Sequence, residues 1–180
     1  MELNGTKVLE TERLLLRPFV MGDEHNMFKN YCNDDRVCEY VTWRPHGNVE
    51  NTKAYLQTFV GDYKSNEKYH WAIVLKETNE VIGSIEGIKP NETRKKVSLG
   101  YVLGYDFWGN EYMPEAVKTV INYLFKEGFV RIDAWHHIDN PKSGRVMQKA
   151  GMTYEGTLKC FDVDSNGVPH DMCMYAIVKK

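Results

Sequence analysis

The chain has 180 residues, with 23 Lys and Arg against 25 Asp and Glu and a formal net charge of -2 at pH 7. One domain of that length buries roughly 70% of its unfolded surface without disulfide or metal staples, and the charge balance argues against a nucleic-acid backbone as the main partner. The longest apolar runs, such as Trp71 to Leu75, are far too short to cross a bilayer, and Met1 to Lys7 lacks the basic start and apolar core of a secretory signal, so a cytoplasmic protein without a membrane partner is expected.

In chain order, Glu12 to Arg17 alternates charge and Leu as a short strand closed by Pro18, and Asp23 to Asn33 has the polar cap and spaced Met27, Phe28 and Tyr31 of a helix. Arg36 to Gly47 reads as a loop or helical turn over a site, and Val49 to Tyr63 as a second helix with Tyr55, Leu56 and Phe59 on one face. Three antiparallel strands follow, Tyr69 to Lys76, Val81 to Lys89 and Lys96 to Leu103, with turns at Glu77 to Glu80 and Pro90 to Arg94. A loop from Gly104 to Met113, a helix from Pro114 to Gly128 and a strand from Val130 to His137 predict a right-handed parallel crossover. Asn140 caps and Pro141 opens a helix stopped at Gly151, and Met152 to Asp162 with His170 to Lys179 predict a hairpin around Asp164-Ser165-Asn166-Gly167. No internal repeat or linker is visible, so residues 1–180 are expected to form one α/β domain on a mixed, mostly antiparallel sheet.

Four cysteines, Cys32, Cys38, Cys160 and Cys173, make no Cys-x-x-Cys pair and no zinc-like spacing with histidine, so no metal is expected. The passage from Leu99 to Ala116 runs from a strand through a glycine-bearing loop into a helix. Free N–H groups at such a helix start form an anion site, phosphate above all; an ordinary connection with Pro114 in the first turn is the alternative. No Walker loop and no Gly-x-Gly-x-x-Gly fingerprint is present.

Three strings, Trp108-Gly109-Asn110-Glu111-Tyr112-Met113-Pro114-Glu115-Ala116, Asn140-Pro141-Lys142-Ser143-Gly144-Arg145-Val146-Met147-Gln148-Lys149-Ala150-Gly151-Met152 and Glu155-Gly156-Thr157-Leu158, occur in this order after an opening Thr11-Glu12-Arg13-Leu14-Leu15-Leu16-Arg17-Pro18. Together they resemble the GNAT N-acetyltransferases, in particular the RimJ/RimL-like branch. The resemblance implies a GNAT-like fold whose crossover forms an acetyl-CoA cleft. It implies that Trp108, Gly109, Asn110, Glu111, Tyr112 and Met113 hold the pyrophosphate, that the pantetheine arm pairs with the strand edge at Tyr101, Val102 and Leu103, and that Asn140 and Ser143 line the far side. A backbone N–H of that strand would face the thioester oxygen, where such a donor lowers the barrier by a few kcal/mol.

The sequence departs from the family at Glu111, usually glycine, and at Met113, usually small. Glu111 is expected to turn its carboxylate to solvent while its backbone donates, at the cost of a positive φ. The tyrosine acid of many members falls on Met147, which has no proton to give, and the RimL-like pattern moves the role to Ser143. Serving a first-turn N–H is the other reading of Ser143. The same pattern places a carboxylate base at Asp162, one methylene shorter than the usual glutamate and so acting through water, or else a polar residue entering a turn. Ser98 occupies another base position of the family. Glu86 is either an amine partner or the outward residue of an alternating strand, and of His136 and His137 at most one can enter a cleft. Tyr31, Tyr40 and Trp43 are acceptor-pocket walls or core.

The expected activity is transfer of acetyl from acetyl-CoA to a primary amine by direct attack on the thioester. The acceptor is a protein N-terminal α-amine, such as that of a ribosomal protein, or a small-molecule amine. A non-catalytic CoA-binding sensor or interaction module is the rival, and a homodimer stays open.

Overall fold

In the computed structural model, which describes residues 3–164 and 166–179, eight strands form one sheet. They are β1 Leu9–Glu10, β2 Leu14–Arg17, β3 Tyr69–Leu75, β4 Glu80–Asn91, β5 Lys96–Leu103, β6 Arg131–His137, β7 Thr153–Val163 and β8 Pro169–Val178, in the spatial order β1-β2-β3-β4-β5-β6-β8-β7. Only β5 and β6 pair parallel, on either side of the expected crossover. The helices are α1 Glu24–Met27, α2 Asp35–Cys38, α3 Val49–Val60, α4 Tyr112–Lys126 and α5 Pro141–Lys149. Ser165 of the expected hairpin turn lies outside the described residues.

Alternation along the strands sends side chains to two cores on opposite faces of the sheet. One core joins Trp71, Ile73, Ile85, Leu99, Ile132 and Ala134 to the apolar stripe of α4 and to Met147 of α5. The other packs Phe19, Met27, Tyr31, Leu56 and Phe59 from the α1 to α3 region onto Ala72, Val74 and Val81. Trp71 is fully buried and its Nε1 still donates to the Lys7 carbonyl at 2.7 Å, so burial worth about 1.5–3 kcal/mol leaves no polar atom stranded.

Several boundaries differ from the sequence reading. β4 continues through Pro90 to Asn91, because Lys89 takes a φ of 48° and the register shifts between Ile88 and Asn91, which spares the ladder the proline's missing donor. α4 starts at Tyr112 rather than Pro114: Glu111, at φ 65°, makes the left-handed turn into the helix, and Pro114 fits a first turn whose N–H groups have no helical partner. α1 passes into a π-helical turn over Phe28–Cys32 that lets Tyr31 and Cys32 both reach the core, and the segment expected as a loop or helical turn after it opens with the single turn of α2.

β5 and β6 pair only at Lys96, Val97 and Ser98 opposite Arg131, Ile132 and Asp133. Beyond that point β5 stays bonded to β4 and β6 to β8, so the two strands part. The last joined pair is pinned by side chains. Ser98 Oγ donates to Asp133 Oδ1 at 2.5 Å, Arg131 Nε reaches Asp133 Oδ2 at 3.2 Å, and the Arg131 guanidinium forks onto Glu155 at 2.9 and 2.6 Å. This fork holds the Arg131 guanidinium protonated and the Glu155 carboxyl below its usual range.

His70 of β3 is packed against Phe19 and Phe59, with ring centroids 5.0 and 4.6 Å away, and its Nδ1 has no partner among the described residues. Burial lowers its pKa from 6.5 to about 3. Between those values the unfolded chain binds a proton that the native protein refuses, so stability present above pH 6.5 is lost as the pH falls. The slope is up to about 1.4 kcal/mol per pH unit for one such site. His46 and His136, also lowered by burial, add to it with the same sign. Denaturant midpoints at pH 7 and pH 4.5 are expected to differ less in His70→Phe than in the unsubstituted protein; equal differences would clear His70 of the effect.

Candidate active site

The parting of β5 and β6 opens a cleft of about 1150 Å³ that runs from the N-terminus of α4 to the region under α1 and α3. Strand register fixes what each wall offers. The Gly104 amide donates to the Ile82 carbonyl, so alternation turns the backbone groups of Val102 and Gly100 toward β4 and those of Leu99, Tyr101 and Leu103 toward the open edge. Tyr101 and Leu103 therefore present main-chain groups to the cleft, whereas Val102 lines it with its side chain only. The Leu103 carbonyl is taken by Trp108 Nε1 at 2.8 Å, leaving the main-chain groups of Tyr101 as the central pair on that edge.

At one end of the cleft the chain turns through Gly109, Asn110 and Glu111 into α4. The amides of Gly109 through Met113 have no acceptor among the described residues, and they point from a 15-residue helix whose dipole favours an anion there. Arg13 fastens this turn from below: Nη1 donates to the Asn110 carbonyl at 2.9 Å, Nε and Nη2 bind Glu115 Oε2 at 2.8 and 2.6 Å, and its guanidinium stacks on Tyr112 at 4.6 Å. The Glu111 carboxylate points across to Lys149 of α5 at 2.5 Å, half-exposed, so its charge is met by a cation at the surface. Lys149 is one of three basic residues, with Lys142 and Arg145, that recur along α5 and line the cleft; Lys142 Nζ also sits 4.8 Å over the Trp108 ring. The sequence reading passed over this set, although the spacing of 142, 145 and 149 on a helix marks one basic face.

α5 begins as its sequence directs, with Asn140 Oδ1 accepting the Ser143 amide at 3.3 Å. The cap is Asn140, so the Ser143 hydroxyl is not spent on the helix start. It lies 2.9 Å from Tyr101 Oη, which also donates to the Ser143 carbonyl at 2.9 Å. Burial raises the Tyr101 pKa well above its ordinary value, so the phenol keeps its proton. Met147 is core and contributes no polar atom. α5 can sit this close because Gly144 has no Cβ: one would lie 2.6 Å from His136 Nε2.

The opposite face of the sheet carries a different set. His136 turns toward α5 and His137 to the opposite face, yet both line the cleft because the gap opens on both faces, two where at most one was expected; the His137 ring centroid lies 4.3 Å from His170 and 5.3 Å from Tyr40. His170 Nε2 lies 3.1 Å from Asp164 Oδ2, and amides of Val168 and Asn166 with His170 hold the Asp164 pKa down to about 2. Asp162 lines the same stretch with Oδ2 accepting Trp135 Nε1 at 3.3 Å and Oδ1 accepting the Val163 amide at 2.9 Å. Asp162 stands on β7, two strands beyond β6, so roughly 10 Å of sheet separates its backbone from the cleft-side strand. Tyr31, Tyr40 and Trp43 all line the cleft, and Tyr31 serves the core as well; its buried hydroxyl has no partner among the described residues, which costs on the order of 1–3 kcal/mol. Ser98 is spent on Asp133.

Residues 13–153 match the family model described as an acetyltransferase (GNAT) domain. Over 173 residues the chain is 31% identical to the uncharacterized N-acetyltransferase YoaA of Bacillus subtilis, covering 96% of this chain and 97% of that one. Among solved structures, the microcin C7 self immunity acetyltransferase MccE, crystallised with acetyl-CoA and AMP, superposes with a TM-score of 0.83 at 20% identity over 94% of each chain. The ribosomal-protein-S5-alanine acetyltransferase of Vibrio fischeri superposes with a TM-score of 0.82 at 22% identity over 96% of each chain. A strand edge left open beside a helix start with free amides, in a chain that matches this model over most of its length, means that the protein belongs to the acetyltransferase (GNAT) family and is an acyltransferase.

Proposed function

We propose that the protein transfers the acetyl group of acetyl-CoA to a primary amine by direct attack on the thioester. The observation that carries this is the continuity of the cleft, from the free amides of Gly109 to Met113 past the open edge at Tyr101 to Ser143. The fit to a diphosphate rests on those amides, on the α4 dipole and on Lys142, Arg145 and Lys149 opposite them. Trp108 through Met113 would hold the pyrophosphate, Tyr101 and Leu103 the pantetheine amides, and Asn140 and Ser143 the far side. Acetyl-CoA supplies the activated acyl group.

In this reading the Tyr101 amide hydrogen-bonds the oxyanion that develops on the thioester oxygen, which is worth about 2.7–4 kcal/mol of barrier for one well-placed donor. Tyr101 keeps its phenolic proton on the Ser143 carbonyl, so the Ser143 hydroxyl donates to Tyr101 Oη at rest and turns its hydrogen to the departing sulfur during transfer. Each Asp162 oxygen accepts one protein hydrogen bond and retains a lone pair for water, so Asp162 takes the amine proton through a water from the other face. The α-amine of a protein N-terminus is one acceptor, in line with the RimJ/RimL-like opening around Arg13 and with the likeness to a ribosomal-protein acetyltransferase; small amines are the other. We place the protein in the cytoplasm; among the described residues no helix is long and apolar enough to cross a membrane.

Acetyl-CoA at about one hundred times its dissociation constant should stabilise the protein by roughly 2.7 kcal/mol in a thermal-shift titration, and ATP should not. Ser143→Ala and Asp162→Asn should each slow release of CoA thiol with a mixed amine panel by roughly ten- to ten-thousandfold, with acetyl-CoA affinity little changed; unaltered turnover would remove that residue from the mechanism, and saturable binding without turnover in the unsubstituted protein would sink the transfer reading. Glu111→Gly should change the acetyl-CoA dissociation constant by less than about tenfold. The left-handed strain it relieves, about 1–2 kcal/mol, is common to the free and bound protein, and releasing Lys149 from an exposed pair toward the phosphates adds up to about 1 kcal/mol, less than tenfold. Tightening beyond tenfold would mean that the carboxylate opposes the ligand.

A further inference from the structure

The face of the sheet toward α1 and α3 carries one carboxylate close to the open edge. Glu86 on β4 is paired across the ladder with His70 on β3 and with Gly100 on β5, and all three project to the same face. Gly100 has no side chain, and a Cβ there would meet only the end of Ile88, so no side chain rises from β5 between Glu86 and the backbone of Tyr101. Glu86 stands one strand, about 5 Å, from the strand that borders the cleft, whereas Asp162 stands two strands from the other border.

What surrounds Glu86 is aromatic. Phe19, Tyr31, Trp43, Tyr55 and Phe59 line this end of the cleft, and burial together with the Glu86 charge pushes the Tyr55 phenol up to about 12. His70, at about 3, stays neutral and adds no cation. The Glu86 partner is Lys68, whose Nζ lies 3.1 Å from Oε1 and 5.9 Å over the Phe59 ring, so an ammonium already occupies the position between carboxylate and aromatic wall. Two buried polar atoms, Tyr31 Oη and His70 Nδ1, lack a partner among the described residues, and both residues line this end of the cleft.

We infer that this is the acceptor subsite, that Glu86 binds the acceptor's ammonium in place of Lys68, and that the substrate class is a primary amine carried on an apolar or aromatic body. The inference rests on the acetyl-transfer reading above and narrows it. A carboxylate draws the ammonium in, the aromatic faces favour both the cation and an apolar body, and Lys68 stands guard as an internal mimic of the ligand. A polyamine would bring further charges against walls made mainly of aromatic rings, and an extended peptide would have to thread its backbone there.

The test uses 2-phenylethylamine, spermidine and a short peptide with an N-terminal alanine. With acetyl-CoA, kcat/KM for 2-phenylethylamine should exceed that for the other two by at least tenfold. Glu86→Gln should raise its KM by tenfold or more while the KM for acetyl-CoA stays within twofold, and Lys68→Met, which frees Glu86, should lower it. Opposite signs are what a purely structural ion pair would not produce, and Lys68→Met keeps the inference exposed if Glu86→Gln folds poorly. Calorimetric binding of 2-phenylethylamine to the CoA-saturated protein separates the two layers. Binding that Glu86→Gln abolishes, without turnover of any amine, would uphold the subsite and overturn the transfer reading. Turnover of spermidine or peptide with no binding of 2-phenylethylamine, or a Glu86→Gln protein with unchanged KM, would overturn the subsite and leave acetyl transfer standing.

Discussion

β5 and β6 are joined at three residue pairs and then diverge, because each has a stronger commitment on its other side: β5 to β4 and β6 to β8. A sheet that splits in its middle leaves main-chain groups without strand partners, which a folded protein tolerates only where something polar, water or ligand, can reach them. The half-buried Ser98, Asp133 and Arg131 cluster sets where the split begins, and Arg13, reaching from the start of β2 to Asn110 and Glu115, sets the position of the helix start at its mouth. Every functional group discussed above takes its place from that opening.

The split also connects two surfaces that an intact sheet would keep apart. Tyr101, Ser143 and the basic residues of α5 belong to the α4 and α5 side, while Glu86, His137, His170 and Asp162 belong to the side of α1 and α3. Alternation assigns each strand residue to its side without exception along β5 and β6: Tyr101 follows Leu99 and Leu103, and His137 is opposite in sense to His136. The two sets of side chains thus face each other only through the gap.

Much of this was legible in the sequence. Alternation in 69–103 and 153–178, the Asn140-Pro141 helix start and the loop before α4 give the sheet, the crossover and the anion site, because each depends on local chemistry. Three things were not. The π-helical turn at Phe28–Cys32 and the bulge at Lys89 answer to tertiary packing. The Tyr101 contact with Ser143 joins residues 42 apart through a side-chain direction that no spacing reveals. The Lys149 partner of Glu111 is a surface ion pair between residues 38 apart, which no local spacing reveals, whereas the positive φ at Glu111 was expected from its place in the loop.

Cys32 is the cysteine that lines the cleft, and it is buried so deeply that its thiol is pushed far above the ordinary range and keeps its proton. The thiolate is the nucleophilic form of cysteine, so this side chain offers no waystation for an acyl group. The one thiol that lines the gap among the described residues is thus silenced by the core, and a ligand in the gap meets no thiolate there.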